Sequence, residues 1–466
     1  MKALKKILAA ATAGVCAVSM AACGGGSDSG SGTTDLTYDK IELGTTGKDI
    51  KTTINLFTQR TDMQQDTYNG VTWKEYLEEF NKLYPDITVN VEGGTNYGDA
   101  ALTRLQGGDW GDIMMIPTVD ASELGNYFLP FGTVDDLKDL IHYVYAQQYE
   151  GNVYGISSTG NAVGIVYNKA VFKEAGITEN PTTPEEFIAD LKLIKEKTDA
   201  IPLYTNYAAG WTMGAWDAYI GGTATGSNTY SSQEMLHTED PFSDPGDGTH
   251  AYNVYKILYD AVADGLIEDD FSTTDWEGSK SQMNSGKIAT MVLGSWAVSQ
   301  IKSVGENADD IGYMPFPITV DGKQYTSSGA DYAFGINKDA SKDNQEASMI
   351  FVKWMTEKSN FSLNEGGLPV AKSQDGELPD VYSEFGDVTF LEDEPAVEGE
   401  EDLFNDLNSD SELNINAAGD SRVQSIVEHA ANKDKSYDDL VAEWNQKWND
   451  ALKTEGVDVK YTTVAK

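Results

Sequence analysis

Both cysteines of this 466-residue chain, Cys16 and Cys23, lie within its first 23 residues. Whatever folds beyond them has no disulfide and must be held by its core. Basic residues are scarce: 33 Lys and Arg face 75 Asp and Glu, a formal net charge of −42. So acidic a surface repels phosphates, which excludes nucleic acid and an anionic membrane face as expected partners. The four histidines, His142, His237, His250 and His429, are scattered without metal-ligand spacing. Asp240, Asp244 and Asp247 lack the regular spacing of a calcium loop and read as a solvated turn, with calcium left open. No cofactor is expected. His-Glu-x-x-His, Gly-x-Ser-x-Gly and Walker-type loops are all missing. After the first 22 residues no apolar run approaches the ~20 residues that a spanning helix needs.

What is present begins with a leader. Lys2, Lys5 and Lys6 precede a small, apolar run over 7–20, and Met20-Ala21-Ala22-Cys23-Gly24 follows. The pattern reads as a signal peptide over 1–22, and its end resembles the lipobox of bacterial lipoproteins. Lipid on Cys23 is therefore expected, because two acyl chains anchor stably where one does not. The Gly- and Ser-rich stretch from Gly24 to Gly32 has nothing to bury, and residues 23–49 are expected to form a lipidated, flexible tether.

Past the tether, apolar periodicity predicts strands at 53–57, 87–91 and 113–116, separated by helices near 73–83 and 100–106. This alternation implies a parallel sheet wrapped by helices, with ligands at the carboxyl ends of its strands. That places attention on the loops Gln59–Asp62 and Pro117–Asp120. A second set follows: strands at 162–167, 201–204 and 288–292, and helices at 185–197, 211–220, 252–263 and 276–285. Strands at 313–316 and 332–336 and helices near 345–357 and 437–452 complete the expectation. The acidic stretch 390–410 reads as loose surface. A chain this long divides into two or more lobes.

Several stretches occur in an order that carries more information than any one of them. They are Val153-Tyr154-Gly155-Ile156, Gly164-Ile165-Val166-Tyr167-Asn168-Lys169 with Phe172-Lys173-Glu174-Ala175-Gly176, and Pro181-Thr182-Thr183-Pro184. Gly294-Ser295-Trp296-Ala297, Phe334-Gly335-Ile336-Asn337-Lys338 and Leu368-Pro369-Val370 follow. The ordered set resembles the family 1 extracellular solute-binding proteins of ABC importers, the group containing maltose-binding protein. The resemblance implies an α/β, two-lobed, type II periplasmic-binding-protein-like fold with three inter-lobe crossings, near Gly164, Asp331 and Val370. Lobe 1 would comprise 50–163 plus 332–369, and lobe 2 would comprise 167–330 plus 372–466. It also implies a monomer that delivers an oligosaccharide to separate permease subunits. Anchoring by lipid alone, on the outer face of the cell membrane, suits a Gram-positive envelope.

A sugar needs amides, carboxylates and arginine for its hydroxyls and flat aromatic surface for its C–H faces. By the resemblance, Trp296 is the stacking tryptophan, joined by Trp211 and Tyr207 after the short strand, while Trp216 packs inside. Arg60, Thr61 and Asp62 form the polar loop of the first lobe, although Arg60 and Asp62 could instead pair with each other. Asn161, Asp331 and Tyr332 sit at the crossings. The region from Asn414 to Asp420 lacks the further tryptophan that some relatives carry, so that end of the cleft is expected to be more polar or open. Two rival readings stay in view: an extracellular glycan hydrolase, which would need a marked pair of carboxylates, and a binder of a non-sugar solute such as a polyol.

Overall fold

The computed structural model describes residues 33–463, apart from 66, 67, 69, 95, 96, 377 and 417–420. The leader, Cys23 and the Gly/Ser stretch lie outside the described residues, as do the last four positions of the 414–420 segment. Two six-stranded sheets organise the chain. In the first, strand Thr52–Thr58 lies between Ile87–Gly93 and Ile113–Met115, parallel to both. Ala333–Asn337 then adds antiparallel to Ile113–Met115, and Phe128–Leu129 and Ile156–Ser157 pair with it. Helix Trp73–Leu83 starts at a capping box in which Thr72 and Glu75 exchange hydrogen bonds, and it buries Trp73, Tyr76 and Phe80.

The second sheet is built on one long strand, Gly160–Asn168. Its first residues pair with Tyr325–Ala330, and its later ones with Ile288–Gly294 and Ile311–Met314, all antiparallel. Ile201–Leu203 extends this sheet on one side and Thr389–Glu392 on the other, both parallel to their neighbours. Each sheet has its own core. Phe80, Phe128 and Phe351 belong to the first, Phe187, Trp444 and Trp448 to the second.

The chain leaves the first sheet after Ser157 and enters the second at Gly160, ahead of the Gly164 that the resemblance implied. It returns between Ala330 and Ala333, and Leu368 passes beside the same spot. These passages are stitched together: Ser158 N donates to Tyr332 O (2.9 Å), Asp331 N to Thr159 O (2.9 Å), and Gly160 and Leu368 exchange bonds of 2.9 and 2.7 Å. The approach demands glycine. A Cβ on Gly160 would lie 2.3 Å from the Tyr143 hydroxyl, and one on Gly367 would lie 1.9 Å from Thr159 Oγ1.

Three expectations are corrected. Residues 33–49 are not tether: Tyr38 and Ile41 are buried in the first core, and Tyr38 N donates to Phe131 O at 2.8 Å. Their apolar side chains have somewhere to go, which the preceding glycines do not. The 211–220 helix is broken into Trp211–Gly214 and a 3-10 turn, Ala215–Tyr219. There the buried Asp217 carboxylate takes bonds from Tyr255 and Arg422, both at 2.6 Å. Finally, 390–410 is not loose: it supplies the edge strand Thr389–Glu392 and helix Leu403–Ser411, which buries Leu407.

Candidate functional site

A cavity of about 850 Å³ opens where the three passages meet, lined from both sheets. Its first face comes from the loop after strand Thr52–Thr58, as expected of the carboxyl end of a parallel strand. Thr58, Gln59 and Arg60 line it, with Trp73, Tyr97 and Glu365 behind and beside them. Arg60 is the centre of a charged web. Its Nε and Nη2 grip both oxygens of Asp62 at 2.9 Å, and Nη2 also reaches Tyr68 (3.0 Å) and Glu365 Oε2 (2.7 Å). The Tyr68 hydroxyl donates to the same Glu365 oxygen at 2.7 Å. Burial disfavours the Arg60 charge, but the bonds to Asp62 and the field of Glu365 outweigh it and hold the guanidinium well above its usual range. Burial, reinforced by Glu365, pushes the Tyr68 phenol up.

The opposite face is aromatic. Trp211, Trp276 and Trp296 touch one another, with ring centroids 5.5–5.7 Å apart and planes strongly inclined. Trp211 and Trp296 line the cavity, with Ser299 and Gln300 one turn further along the helix that starts at Trp296. Trp211 is 37% exposed, so part of its indole is open to the solvent. The floor is the seam between the lobes. There Asn161 Nδ2 donates to Asp331 Oδ2 (2.8 Å), while Asp331 Oδ1 accepts from the backbone of Tyr332 (2.6 Å). Tyr332 meets Tyr97 edge-on at 5.6 Å, and its own phenol is raised by burial and then by Asp331.

Of the residues singled out in the sequence, Arg60, Asn161, Trp211, Trp296, Asp331 and Tyr332 line this one cavity. Thr61, Asp62 and Tyr207 are not among its lining residues. Asp62 turns away to pair with Arg60, the alternative noted for that couple. Tyr207 packs on Phe271 at 4.8 Å and bonds Glu428, drawn off by the helix Ser421–Asn432. Gln59, in the loop that the strand pattern singled out, lines the cavity too, whereas Glu365 and Trp276 were not anticipated. Nothing local in the sequence marks Glu365. Two acids of the 240–247 loop cap their own turn, Asp244 accepting from Gly246 N and Asp247 from Thr249 N, while Asp240 accepts from Asn449 Nδ2 (2.7 Å).

Two α/β lobes, three stitched passages and a polar-and-aromatic cavity at their junction define a two-lobed solute-binding protein. The chain belongs to the bacterial extracellular solute-binding protein family, whose model matches residues 65–360. A manno-oligosaccharide-specific solute-binding protein of Bifidobacterium animalis subsp. lactis, solved with mannotriose, is similar at 56% sequence identity and a TM-score of 0.86; the match covers 90% of this chain and 99% of that one. A binding protein of an ABC transporter from the same organism, solved with mannobiose, is similar at 56% identity and a TM-score of 0.86, covering 91% and 99%. The multiple sugar-binding protein of Streptococcus mutans serotype c is 29% identical over 66% of this chain and 72% of its own length. The family is one of binding proteins, and this protein is a binder rather than a glycan hydrolase.

Proposed function

We propose that this protein captures a short manno-oligosaccharide outside the cell and delivers it to the permease of an ABC importer. The observation that carries the reading is the pairing of an indole face with a hydrogen-bonding face across one cavity at the lobe junction. A sugar ring has an apolar face and a polar rim, and this cavity offers a surface for each. The likeness to mannobiose- and mannotriose-bound proteins over nearly the whole chain supports the choice of sugar. In this reading Trp211 and Trp296 stack on sugar rings, and Arg60, Asn161 and Asp331 bond hydroxyls, with Tyr332 beside them. The lobes divide in outline as 50–163 plus 332–369 and 167–330 plus 372–466, the first boundary moving back to 158–160 and residues 33–49 joining the first lobe. They close over the ligand. The protein works as a monomer, held outside a Gram-positive type of cell by lipid on Cys23.

A trisaccharide has roughly 34 heavy atoms, and about −0.3 kcal/mol for each gives about −10 kcal/mol. That is sub-micromolar binding. Mannobiose or mannotriose at low micromolar concentration is expected to raise the melting temperature through linkage, with maltotriose, cellotriose and xylotriose compared alongside. A panel without any shift would overturn the sugar reading. Palmitate labelling of the expressed precursor, lost in Cys23→Ser, tests the anchor separately.

A further inference from the structure

One buried group on the first face of the cavity is left incomplete. Glu365 is only 4% exposed and lines the cavity beside Arg60. Its Oε2 is fully engaged, accepting from both Arg60 and Tyr68. Its Oε1 has neither solvent contact nor a hydrogen-bond partner among the described residues. A buried carboxylate oxygen without a donor is costly, and native proteins seldom keep one without a purpose. Arg60 is similarly half-used: Nε and Nη2 are taken, while Nη1 has no protein partner given by the geometry of the described residues.

From this geometry we infer that Glu365 is a specificity-determining residue of the sugar site. Its Oε1 accepts a ligand hydroxyl proton while Arg60 Nη1 donates to a neighbouring hydroxyl oxygen. The inference rests on the sugar-binding reading and deepens it. Glu365 lines the cavity, and the bonds of Arg60 and Tyr68 to Oε2 leave Oε1 as its one uncommitted acceptor among the described residues. A neutral sugar with two adjacent hydroxyls satisfies the acceptor and the donor together. A ligand that brings a carboxylate or phosphate to this end meets the negative charge of Glu365 and is rejected, so uronic acids and sugar phosphates are excluded there. Tyr68 and Asp62 are positioning residues that fix the angle of the pair.

The test compares wild type, Glu365→Gln and Glu365→Asp by calorimetric titration with mannobiose, mannotriose and the set of mono-deoxy mannobioses. Melting of the unliganded proteins verifies folding. Glu365→Gln is expected to weaken mannobiose at least tenfold, and Glu365→Asp less. One deoxy analogue should lose about tenfold on wild type and show no such further loss on Glu365→Gln, because the missing hydroxyl and the missing charge are the same contact. A merely structural role would weaken the parent sugar and every analogue by one common factor, and that result overturns the inference. So does binding of mannobiose to Glu365→Gln within twofold of wild type. If wild type binds no sugar of any panel, the sugar-binding reading falls and this inference falls with it.

Discussion

The two faces of the cavity hold their side chains by different means. On the first lobe Arg60, Asp62, Tyr68 and Glu365 are fixed by short, directional, charge-assisted bonds. On the second lobe three indoles lean on one another, two contacts edge to face and one tilted, and they are held by ring contacts, with the Lys280 ammonium lying over Trp276. The first arrangement fails abruptly, since removing one member leaves another charged and buried. The second fails by degrees, because an indole contact is a sum of many weak ones. The charged face is thus suited to choosing among hydroxyl patterns, and the indole face to tolerating chains that differ in length.

The largest effect should come from breaking the charged face. Arg60→Ala strands Glu365 and is expected to cost about 3 kcal/mol of folding stability, read from denaturant midpoints without ligand. An unchanged midpoint would mean that the web is not a cooperative unit. Next comes Trp296→Ala, expected to weaken manno-oligosaccharide binding by about 1 kcal/mol or more through lost stacking, measured by titration. Equal affinity would remove Trp296 from the site. Trp276→Leu touches the cluster from behind and should cost roughly 0.5 kcal/mol in affinity; a loss as large as that of Trp296→Ala would put Trp276 in contact with sugar.

The smallest effect lies between the lobes, away from the residues that line the cavity. His142 meets Glu392 (3.0 Å) on the second sheet and Asp375 (2.7 Å), one acid at each ring nitrogen. Both contacts are satisfied only when the ring is doubly protonated. The bond to Glu392 raises its pKa against the opposing effect of burial, and Asp375 adds to the rise. A raised value stabilises the folded state below the ordinary histidine range, about 6.5, and that stabilisation is lost as pH climbs through the raised value. The melting-temperature difference between wild type and His142→Gln should be largest at mildly acid pH and shrink with rising pH. A difference independent of pH would assign His142 a packing role only.

How much of this could be read beforehand differs between the two faces. Arg60 follows a strand whose apolar pattern was plain, and Trp296 opens a helix within a motif, so local sequence carried them to the site. Glu365 meets Tyr68 across 297 positions, and no periodicity announces such a pairing. The same reason hid the edge strand Thr389–Glu392. Its acidic surroundings resemble solvated loop, and its partner Tyr325–Ala330 lies far back in the chain. Tyr207 misled for the opposite reason: its neighbourhood is right, but its ring answers to Phe271 and its hydroxyl to Glu428.

The segment that turned out to be body and not tether has a mechanical meaning. Thr34 is pinned to the helix Lys342–Glu357 by bonds to Gln345 and Glu346 (both 2.9 Å), and Tyr38 lies under Lys353, whose ammonium is 4.0 Å from its ring centroid. A pull on residue 33 therefore loads that helix and the first sheet beneath it. The second lobe and its indoles carry none of the load directly. Drag on a protein held at this end would enter the body through the first lobe alone.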